Sequence, residues 1–378
     1  MSHAKRRFVL AVTLAEQGGV QEFLLRFARF LQQQGHEVTL VTGEGHWLVE
    51  QAKRQAIPLQ QLTHMRRAIL PWHDILAFFE LRRLLQELNP DAIHLNSSKM
   101  GAIGSLAARS LGIRRIIYRI GGWVFLEPLS PLTRWFYVWI EKISARWKDT
   151  IICVHPGDAA VAKKEHIAPQ QEIRVIPNGI DLTSFDTRLL SREESRTAFS
   201  LESTPFVFGT LANFFPAKGL LQYLDACAIL HKEFPQVRFL LIGEGPERKA
   251  LLAKRDMLGL NEAVILSGYK AQASRLLHAF DAFVLPSNKE GMSWALLEAM
   301  AAELPCVATD VGANHWLLTP EAGWLVPAHD PVFLAQRLKE LLVRPEEAKR
   351  RGSLARTRIE RDFPLQHTLQ ANEKALLD

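Results

Sequence analysis

The stretch that decides the fold is DAFVLPSNKEGMSWALLEAM, residues 281–300. It starts with an apolar run that ends at Pro286, a pattern typical of a buried strand. Its second half is rich in Ala, Leu and Met and predicts a helix, with Ser287 and Asn288 as candidate caps before it. Glu290 therefore stands where a parallel strand passes into a helix. Open α/β sheets bind their ligands at this kind of junction.

A second carboxylate, Glu298, follows Glu290 by eight residues. If both belong to one helix, they are separated by a rise of about 12 Å, roughly the distance from ribose to hexose in a nucleotide-sugar. The backbone N–H groups of Gly291, Met292 and Ser293 would then face the diphosphate. Taken alone, the pair could equally be two unrelated acids on a surface helix, so its context has to decide.

Strands and helices alternate on both sides of this stretch. Predicted strands occupy residues 8–14, 36–42, 92–95, 115–119, 150–154 and 173–176, and then 206–211, 237–242, 264–267, 282–285, 305–309 and 323–326. Predicted helices occupy 20–34, 76–88, 101–111, 219–234, 246–258, 273–279 and 331–342. This alternation is typical of doubly wound α/β folds, and the pattern restarts in the second half.

The chain has 378 residues, which is too many for one hydrophobic core. We therefore expect two domains, joined by the polar stretch 181–204. No apolar run approaches the ~18 residues of a membrane span, and residues 8–14 are better explained as a first strand than as part of a signal peptide. The three cysteines are too far apart for a metal site and are typical of a reducing cytoplasm.

Positive charge is concentrated in the first half of the chain. Residues 1–183 hold 23 lysines and arginines against 16 aspartates and glutamates. Such a domain attracts phosphates or anionic lipid, whereas the scattered basic residues and the lack of a recognition motif argue against nucleic acid. The aromatic segment 135–140 lies among Arg134, Lys142, Arg146 and Lys148. It predicts a helix that either rests on an anionic membrane or packs within the domain.

Small and polar residues follow several predicted strands. Gly18 and Gly19 open the first helix, where backbone can approach an anion closely, although a plain turn would look the same. Lys218 precedes a helix, where a cation opposes the helix dipole unless an anion is bound. Residues 97–99 follow a short strand and either contact a ligand or cap a helix.

The segment 287–300 resembles the Glu-x7-Glu signature of the retaining glycosyltransferases of family 4, which have the GT-B fold. The Gly18-Gly19 loop, the Asn-Gly-Ile-Asp motif at 178–181 and the Lys-Gly pair at 218–219 look like motifs of the same family. The resemblance implies two Rossmann-like domains facing each other across a cleft. The acceptor-binding domain would be 1–183 with a returning helix at 364–378, and the nucleotide-sugar-binding domain would be 184–363.

The resemblance also implies roles for individual residues. Lys218 would stabilise the leaving diphosphate, Glu290 would orient the hexose hydroxyls, and Glu298 would bind the ribose. The implied catalytic residues are Glu290, Lys218 and Arg119. The implied donor-binding residues are Gly18, Gly19, Asn213, Lys218, Gly243, Gly268, Tyr269, Glu290, Gly291, Met292, Ser293 and Glu298. The implied acceptor-binding residues are Ser97, Ser98, Lys99, Gly121 and Trp123.

The implied activity is retaining, metal-independent transfer of a hexose, with no cofactor, since the sequence holds no Asp-x-Asp motif. The donor would be a nucleotide-diphosphate sugar, with UDP favoured. The acceptor would be a glycan or a polyprenyl-linked lipid in the assembly of surface polysaccharide or lipopolysaccharide. We expect a cytoplasmic protein associated peripherally with the inner face of the plasma membrane.

Three positions depart from the family pattern. Asn213 stands where the family usually has Arg, Gly121 where it commonly has His, and Trp316 where it often has Glu. Gly121 and Trp316 favour a second interpretation, a catalytically degenerate scaffold or binding protein, although the two glutamates and Lys218 argue against it. A third, a nucleotide-sugar 2-epimerase, is disfavoured by the motifs at 178–181 and 218–219.

Overall fold

A computed structural model gives the fold of the chain and describes residues 4–127, 129–201, 203 and 206–378. The chain forms two compact units. Unit 1 is Met1–Pro177 with His367–Asp378, and unit 2 is Asn178–Gln366. Residues 202 and 204 of the expected linker lie outside the described residues. Within the described part, no helix is both long enough and apolar enough to cross a membrane.

Unit 1 is built on a parallel sheet whose described strands are ordered β3-β2-β1-β4-β5-β6-β7. The strands are β1 (Arg7–Val12), β2 (Glu37–Thr42), β3 (Leu59–Gln61), β4 (Ala92–Asn96), β5 (Arg115–Ile120), β6 (Thr150–Cys153) and β7 (Glu172–Val175). Strand β1 lies in the interior of the sheet and is buried from its second residue on, as expected for a parallel strand covered on both faces. The short edge strand β3 was not predicted, because its three residues are largely exposed.

Helices cover both faces of this sheet. They are α1 (Gly19–Gln33), α2 (Trp47–Arg54), α3 (Pro71–Leu88), α4 (Ser98–Ser110), α5 (Pro131–Ala145) and α6 (Pro156–Lys164). Ala77 of α3, Met100 of α4 and Val138 of α5 share one hydrophobic core with Ile93 of β4, so these three helices lie on the same face. Helix α3 starts at Pro71, before the predicted start at 76, because proline is favoured at the first helical position.

Unit 2 is a second parallel sheet, with its described strands in the order β10-β9-β8-β11-β12-β13. The strands are β8 (Val207–Leu211), β9 (Arg238–Ile242), β10 (Val264–Gly268), β11 (Ala282–Leu285), β12 (Cys306–Thr309) and β13 (Trp324–Val326). The helices are α7 (Leu182–Asp186), α8 (Arg192–Thr197), α9 (Leu220–Glu233), α10 (Arg248–Met257), α11 (Trp294–Ala301), α12 (Asn314–Leu317), α13 (Pro331–Val343) and α14 (Pro345–Asp362).

The last helix, α15 (Leu365–Leu377), carries the chain back into unit 1. Within that unit, Asn372 Oδ1 lies 3.1 Å from His94 Nε2, and Arg115 Nε donates to the carbonyl oxygen of Ala375 at 2.9 Å. The resemblance predicted such a return for the final segment. The units divide after residues 177 and 366, rather than after the predicted 183 and 363.

The predicted linker at 181–204 is wrong, because this stretch holds α7 and α8 within unit 2. Ser191 and Glu194 form a reciprocal capping box at the start of α8. Arg196 on the same helix pairs with Asp281 at 2.6 Å. Two short helices with polar caps have the same composition as a linker. The sequence therefore could not distinguish helices from a linker in this stretch.

Candidate functional site

The carboxyl edge of the unit 2 sheet gathers the residues predicted to bind the donor. Strand β8 lies between β9 and β11, so the strand order changes direction there, and such a switch point opens a crevice for ligands. Asn213 and Lys218 follow β8, Gly243 follows β9, Gly268 ends β10 and Glu290 follows β11. Because parallel strands end at the same edge, the fold brings these residues together.

At this edge Lys218 and Glu290 form an ion pair. Lys218 Nζ lies 2.6 Å from Glu290 Oε1, and Ser287 Oγ donates to the same oxygen at 2.6 Å. The Glu290 side chain is 7% exposed and that of Lys218 is 27% exposed. The carboxylate is thus held by its surroundings. An ammonium has three donors, so Lys218 can contact Glu290 and an anion together.

The two loops that carry this pair are joined by hydrogen bonds and a close backbone approach. The N–H of Asn288 donates to the carbonyl oxygen of Ala217 at 2.8 Å, and Asn288 Nδ2 donates to that of Pro216 at 3.1 Å. Gly219 has a φ of 63°, and a Cβ there would lie 2.0 Å from the carbonyl oxygen of Pro286. Only glycine allows this approach, which places Lys218 beside the Glu290 loop.

Helix α11 begins later than the sequence predicted. Its N-cap is Ser293, whose Oγ accepts a hydrogen bond from the N–H of Leu296 at 3.3 Å. Glu290 lies in the loop before the helix and Glu298 within it, so the two are not on one helix and the rise of about 12 Å does not apply. Gly291 and the buried Met292 also belong to the loop.

The predicted caps Ser287 and Asn288 have other roles. Ser287 is fully buried and supports Glu290, while Asn288 ties down the Lys218 loop. The prediction failed because two serines, Ser287 and Ser293, both precede the Ala- and Leu-rich segment. Serine is a strong N-cap at either position, so composition alone could not choose between them.

The turns after β9 and β10 approach the loop after β8 closely. A Cβ at Gly243 would lie 1.8 Å from the carbonyl oxygen of Ala212, and the Gly243 N–H donates to the carbonyl oxygen of Gly268 at 3.1 Å. Tyr269 follows directly and is 56% exposed. Asn213 is exposed in the loop after β8. Backbone and side-chain polar groups therefore line the edge on both sides of β8.

Two supporting contacts were not assigned from the sequence. A Cβ at Gly312 would lie 2.1 Å from the carbonyl oxygen of Glu290, and the next N–H, of Ala313, donates to that of Gly291 at 2.9 Å. Asn178 Nδ2 donates to the carbonyl oxygen of Met292 at 3.1 Å. The loop after β12 and the motif at 178–181 thus hold the Glu290 loop. The motif at 178–181 was visible in the sequence, but the residue it contacts was not.

In unit 1 the predicted acceptor residues follow neighbouring strands. Ser97, after β4, has φ 74° and ψ 147°, a conformation rare outside glycine. Its Oγ lies 2.6 Å from Thr13 Oγ1, which also accepts from the N–H of Met100 at 3.2 Å. These contacts hold the turn. Gly18, after β1, caps α1 in an extended conformation, so its φ does not require glycine.

A buried polar network lies beneath Ser98. The Tyr118 hydroxyl lies 3.4 Å from Ser98 Oγ and donates to Glu141 Oε1 at 3.2 Å, and Glu141 pairs with Lys148 at 3.2 Å. Burial, with the nearby Glu141 charge, raises the pKa of Tyr118, and burial lowers that of Lys148. Lys148 is fully buried, so its predicted place on a basic helix surface is wrong. Its charge neutralises Glu141 inside the unit.

Lys99 is engaged within unit 1 and not turned to a ligand. Its Nζ donates to the carbonyl oxygens of Arg66 and Ala68 and pairs with Asp74 at 2.5 Å. The side chain is 14% exposed. These contacts use all three donors of the ammonium, which leaves none for the predicted contact with an acceptor. Lys99 instead anchors the segment that leads into α3.

Arg119 belongs to β5, and its side chain is buried inside unit 1 against α1. It is 3% exposed, and its guanidinium carbon lies 4.3 Å from the centre of the Phe23 ring. Burial lowers the pKa of Arg119 to about 10, so it stays charged at neutral pH. Burial, together with this charge, lowers the pKa of His94 to about 3. This placement does not support the direct catalytic contact predicted for Arg119.

Trp123 is a core residue, which corrects its predicted contact with an acceptor. Its side chain is fully buried, and its indole N–H donates to the carbonyl oxygen of Asp158 at 2.9 Å. Gly121 is exposed, and a Cβ there would meet no atom within 4 Å. Trp316 packs edge-on against Phe363, with ring centres 5.3 Å apart. Trp316, which stands where the resemblance predicts Glu, thus has a packing role. Gly121, which stands where it predicts His, leaves open space.

Among the described residues, no group of three or more His, Cys, Asp or Glu side chains is arranged to hold a metal ion. Residues 17–184 match the family described as Glycosyltransferase Family 4, and residues 191–358 match Glycosyl transferases group 1. The chain belongs to the family 4 glycosyltransferases. The two parallel sheets of this glycosyltransferase, each with flanking helices, form the GT-B fold, as the resemblance predicted.

Its relatives include bacterial enzymes of polysaccharide assembly. It is 26% identical to the UDP-Gal:alpha-D-GlcNAc-diphosphoundecaprenol alpha-1,3-galactosyltransferase of Escherichia coli, over 87% of this chain and 86% of that one. It is 24% identical to the capsular polysaccharide biosynthesis glycosyltransferase CapM of Staphylococcus aureus, over 89% and 88%. The solved structure of Anabaena HepE with UDP and glucose aligns with a TM-score of 0.85 at 18% identity, over 98% and 99%, which shows the shared fold.

Proposed function

We propose that this glycosyltransferase moves a hexose from a UDP-sugar to a glycan or lipid-linked acceptor during assembly of a bacterial surface polysaccharide, with retention and without a metal. The observation that carries the proposal is the cluster of Lys218, Glu290 and Ser287 at the carboxyl edge of the unit 2 sheet. It joins a cation suited to a diphosphate with a carboxylate suited to a sugar hydroxyl.

The comparisons support the choice of substrates. The name of the Escherichia coli relative gives UDP-Gal as its donor and a diphosphoundecaprenol-linked GlcNAc as its acceptor, and the HepE structure holds UDP and glucose. A donor of the same class suits the polar edge around Lys218. A polyprenyl-linked acceptor is confined to the membrane, so we also propose that the enzyme works at the cytoplasmic face of the bilayer.

In the proposed reaction, the protein acts mainly by electrostatic stabilisation of the leaving group. The bond between the sugar C1 and the diphosphate oxygen breaks, and the acceptor hydroxyl forms a new bond to C1 on the same face. The hydroxyl proton passes to the leaving diphosphate. Lys218 stabilises the charge that develops on this diphosphate, and Glu290 orients the sugar hydroxyls. Glu298 would hold the ribose at the other end of the donor.

Calorimetric titration tests the donor site directly. The purified protein is titrated with UDP, GDP, UDP-glucose, UDP-galactose and UDP-N-acetylglucosamine, with Mg²⁺ and again with EDTA. We expect micromolar to millimolar binding of the uridine series that EDTA does not change, a range common for enzyme substrates. Loss of binding in EDTA would contradict metal independence. Preferential binding of GDP would correct the base without removing the proposed reaction.

A catalytically degenerate binding protein is the second candidate, favoured by Gly121, which stands where the resemblance predicts a histidine. Such a protein would still bind UDP, so turnover separates the two candidates. We expect slow release of UDP from the correct UDP-sugar in the presence of membranes that contain the acceptor. Product analysis by NMR then gives the anomeric configuration, and an inverted product would refute retention.

A further inference from the structure

The outer face of α3, α4 and α5 in unit 1 is unusually apolar for a helical surface. These helices lie side by side on one face of the sheet and share its core. Their large exposed apolar side chains include Trp72 and Phe79 of α3, Leu106 of α4, and Leu132, Trp135 and Trp139 of α5. Large exposed apolar side chains gathered on one face of a soluble protein mark a candidate interaction surface.

The first part of this surface, which we call the α3 edge, is residues 66–79. Residues 66–72 are all exposed, and Trp72 at the first turn of α3 is 80% exposed. Phe79, further along the helix, is 60% exposed. Lys99 holds the segment from below by binding the carbonyl oxygens of Arg66 and Ala68. Its exposed apolar side chains are therefore presented by a fixed backbone.

The second part, which we call the α5 edge, carries a pair of indoles. The rings of Trp135 and Trp139 are nearly parallel, with centres 6.4 Å apart, and the side chains are 62% and 47% exposed. They line an open groove of about 380 Å³ together with Arg134 and Lys142. Between the two edges, Leu106 of α4 borders a smaller apolar groove with Ile75 of α3. The smaller groove thus lies between α3 and α4, and the larger one lies along α5.

Charge on this surface is positive, because its acids are engaged within the unit. Asp74 pairs with Lys99, and Glu80 accepts hydrogen bonds from the backbone N–H groups of Thr63 and His64. Glu165 pairs with Arg134. By contrast, Arg66, Lys142 and Arg146 have no ion-pair partner in the part of the chain that the structure describes. The surface therefore offers unneutralised cations beside exposed aromatic rings.

We propose that this surface docks the enzyme on an anionic phospholipid bilayer. Trp72 and Phe79 of the α3 edge and Trp135 and Trp139 of the α5 edge enter the boundary between head groups and acyl chains, where amphipathic aromatic side chains are favoured. Arg66, Lys142 and Arg146 contact the head-group phosphates. This inference rests on the proposed function, because an enzyme that uses a lipid-linked acceptor must reach that acceptor at the bilayer.

A second copy of the chain is the alternative occupant, and charge argues against it. A two-fold dimer places the same patch on both partners, so this face would bring its unneutralised cations together. A bilayer that contains phosphatidylglycerol offers the opposite charge and an apolar interior. The surface combines aromatic rings with cations. This composition suits an anionic lipid interface better than it suits a second copy of the same surface.

Vesicle flotation of the full-length protein tests the proposal. Vesicles of phosphatidylcholine alone are compared with vesicles that contain about one third phosphatidylglycerol, at low and at high salt. The aromatic variants are Trp72→Ser with Phe79→Ser, and Trp135→Ser with Trp139→Ser. The charge variant is Arg66→Gln with Lys142→Gln. Matched controls on unit 2 are Met257→Ser, an exposed apolar site, and Lys349→Gln, an exposed basic one.

We expect the wild type and both controls to float with the anionic vesicles at low salt. The charge variant should bind about 25- to 30-fold more weakly, from about fivefold for each cation removed. Each aromatic pair should weaken binding to both kinds of vesicle. UDP titration of every variant shows whether unit 2 is intact, and thermal unfolding followed by circular dichroism shows whether unit 1, which carries the aromatic and charge substitutions, is folded.

Wild-type protein that binds UDP but does not float would overturn the docking and leave the proposed function intact. Wild-type protein that floats but binds no nucleotide would overturn the proposed function and leave the docking intact. If the aromatic variants float like wild type but sediment as smaller species, the surface is a contact between copies of this chain. If the controls lose flotation as much as the variants, the surface assignment is wrong.

Discussion

Replacing Lys218 by Ala should weaken binding of the donor diphosphate much more than it weakens the fold. Lys218 Nζ sits 2.6 Å from Glu290 Oε1, and its side chain is 27% exposed. A hydrogen bond to a charged group contributes about 1.5–3 kcal/mol. If Lys218 makes one such bond to the diphosphate, Lys218→Ala should reduce UDP affinity by about 10- to 150-fold. The loss of a partly exposed ion pair should itself cost stability only ~1 kcal/mol.

The assay is calorimetric titration of wild type and Lys218→Ala with UDP, UMP and uridine. UMP lacks the second phosphate and uridine lacks both, so the three ligands separate the contribution of the diphosphate from that of the base and ribose. We expect the loss of affinity to be largest for UDP and absent for uridine. Lys218→Arg should keep part of the affinity, because it retains the charge in a different geometry. Lys349→Ala serves as a distant control, since Lys349 is exposed on α14.

Two outcomes would refute this reasoning. Equal losses for UDP and uridine would mean that Lys218 supports the shape of the site and does not bind phosphate. Unchanged UDP affinity would mean that Lys218 serves only Glu290. A double-mutant cycle with Glu290→Gln distinguishes these roles, because removing the carboxylate frees the ammonium for the diphosphate. We therefore expect Glu290→Gln alone to leave UDP binding unchanged or tighter.

The remaining predictions concern the other ends of the site and the interior of unit 1. Glu298→Ala should weaken UDP and uridine binding alike, whereas Glu290→Ala should mainly lower the initial rate of transfer; unchanged kinetics in both variants would overturn these roles. Because the pKa of His94 is about 3 when folded and about 6.5 when unfolded, unfolding takes up a proton between these values. Stability should fall by up to about 4–5 kcal/mol from pH 6.5 towards pH 3, and urea unfolding of His94→Gln should lack this dependence. Gly121→Ala should stabilise the chain by about 0.4–1 kcal/mol in thermal unfolding, since a Cβ there meets no atom within 4 Å.

The sequence predicted the framework of the donor site because parallel strands place their carboxyl ends together. Once the strands at 206–211, 237–242 and 282–285 are assigned, the residues that follow them must share an edge. The structure confirms this placement for Lys218 and Glu290. What the sequence could not give is the contact between them, since 72 residues separate the two. That contact depends on Gly219 and Asn288, whose partners are set by the packing of two loops.

Predictions that depended on exposure failed more often than those that depended on position. Lys148, Trp123 and Arg119 each stand in a motif or segment with a plausible functional reading, yet all three are buried. In each case one partner decides the outcome: Asp158 for Trp123 and Phe23 for Arg119 are distant in sequence, and Glu141 for Lys148 is nearer but on a different segment. A local pattern cannot reveal such partners, because a buried charge or indole is tolerated only where the fold supplies one.

The open space at Gly121 allows a direct test of whether the chain is an enzyme or a degenerate scaffold. If other side chains filled the space of the missing histidine, the fold could no longer accept a histidine there. No atom lies within 4 Å of the position that a Cβ at residue 121 would take. The variant Gly121→His therefore separates the two cases. If the chain already turns over its donor, the added imidazole should change the rate without changing UDP affinity, which depends on unit 2. If the chain binds UDP but is inactive, a gain of turnover in Gly121→His would show that the missing group alone had silenced it. Continued inactivity would place the defect elsewhere in the acceptor unit, with the engaged Lys99 as the next residue to test.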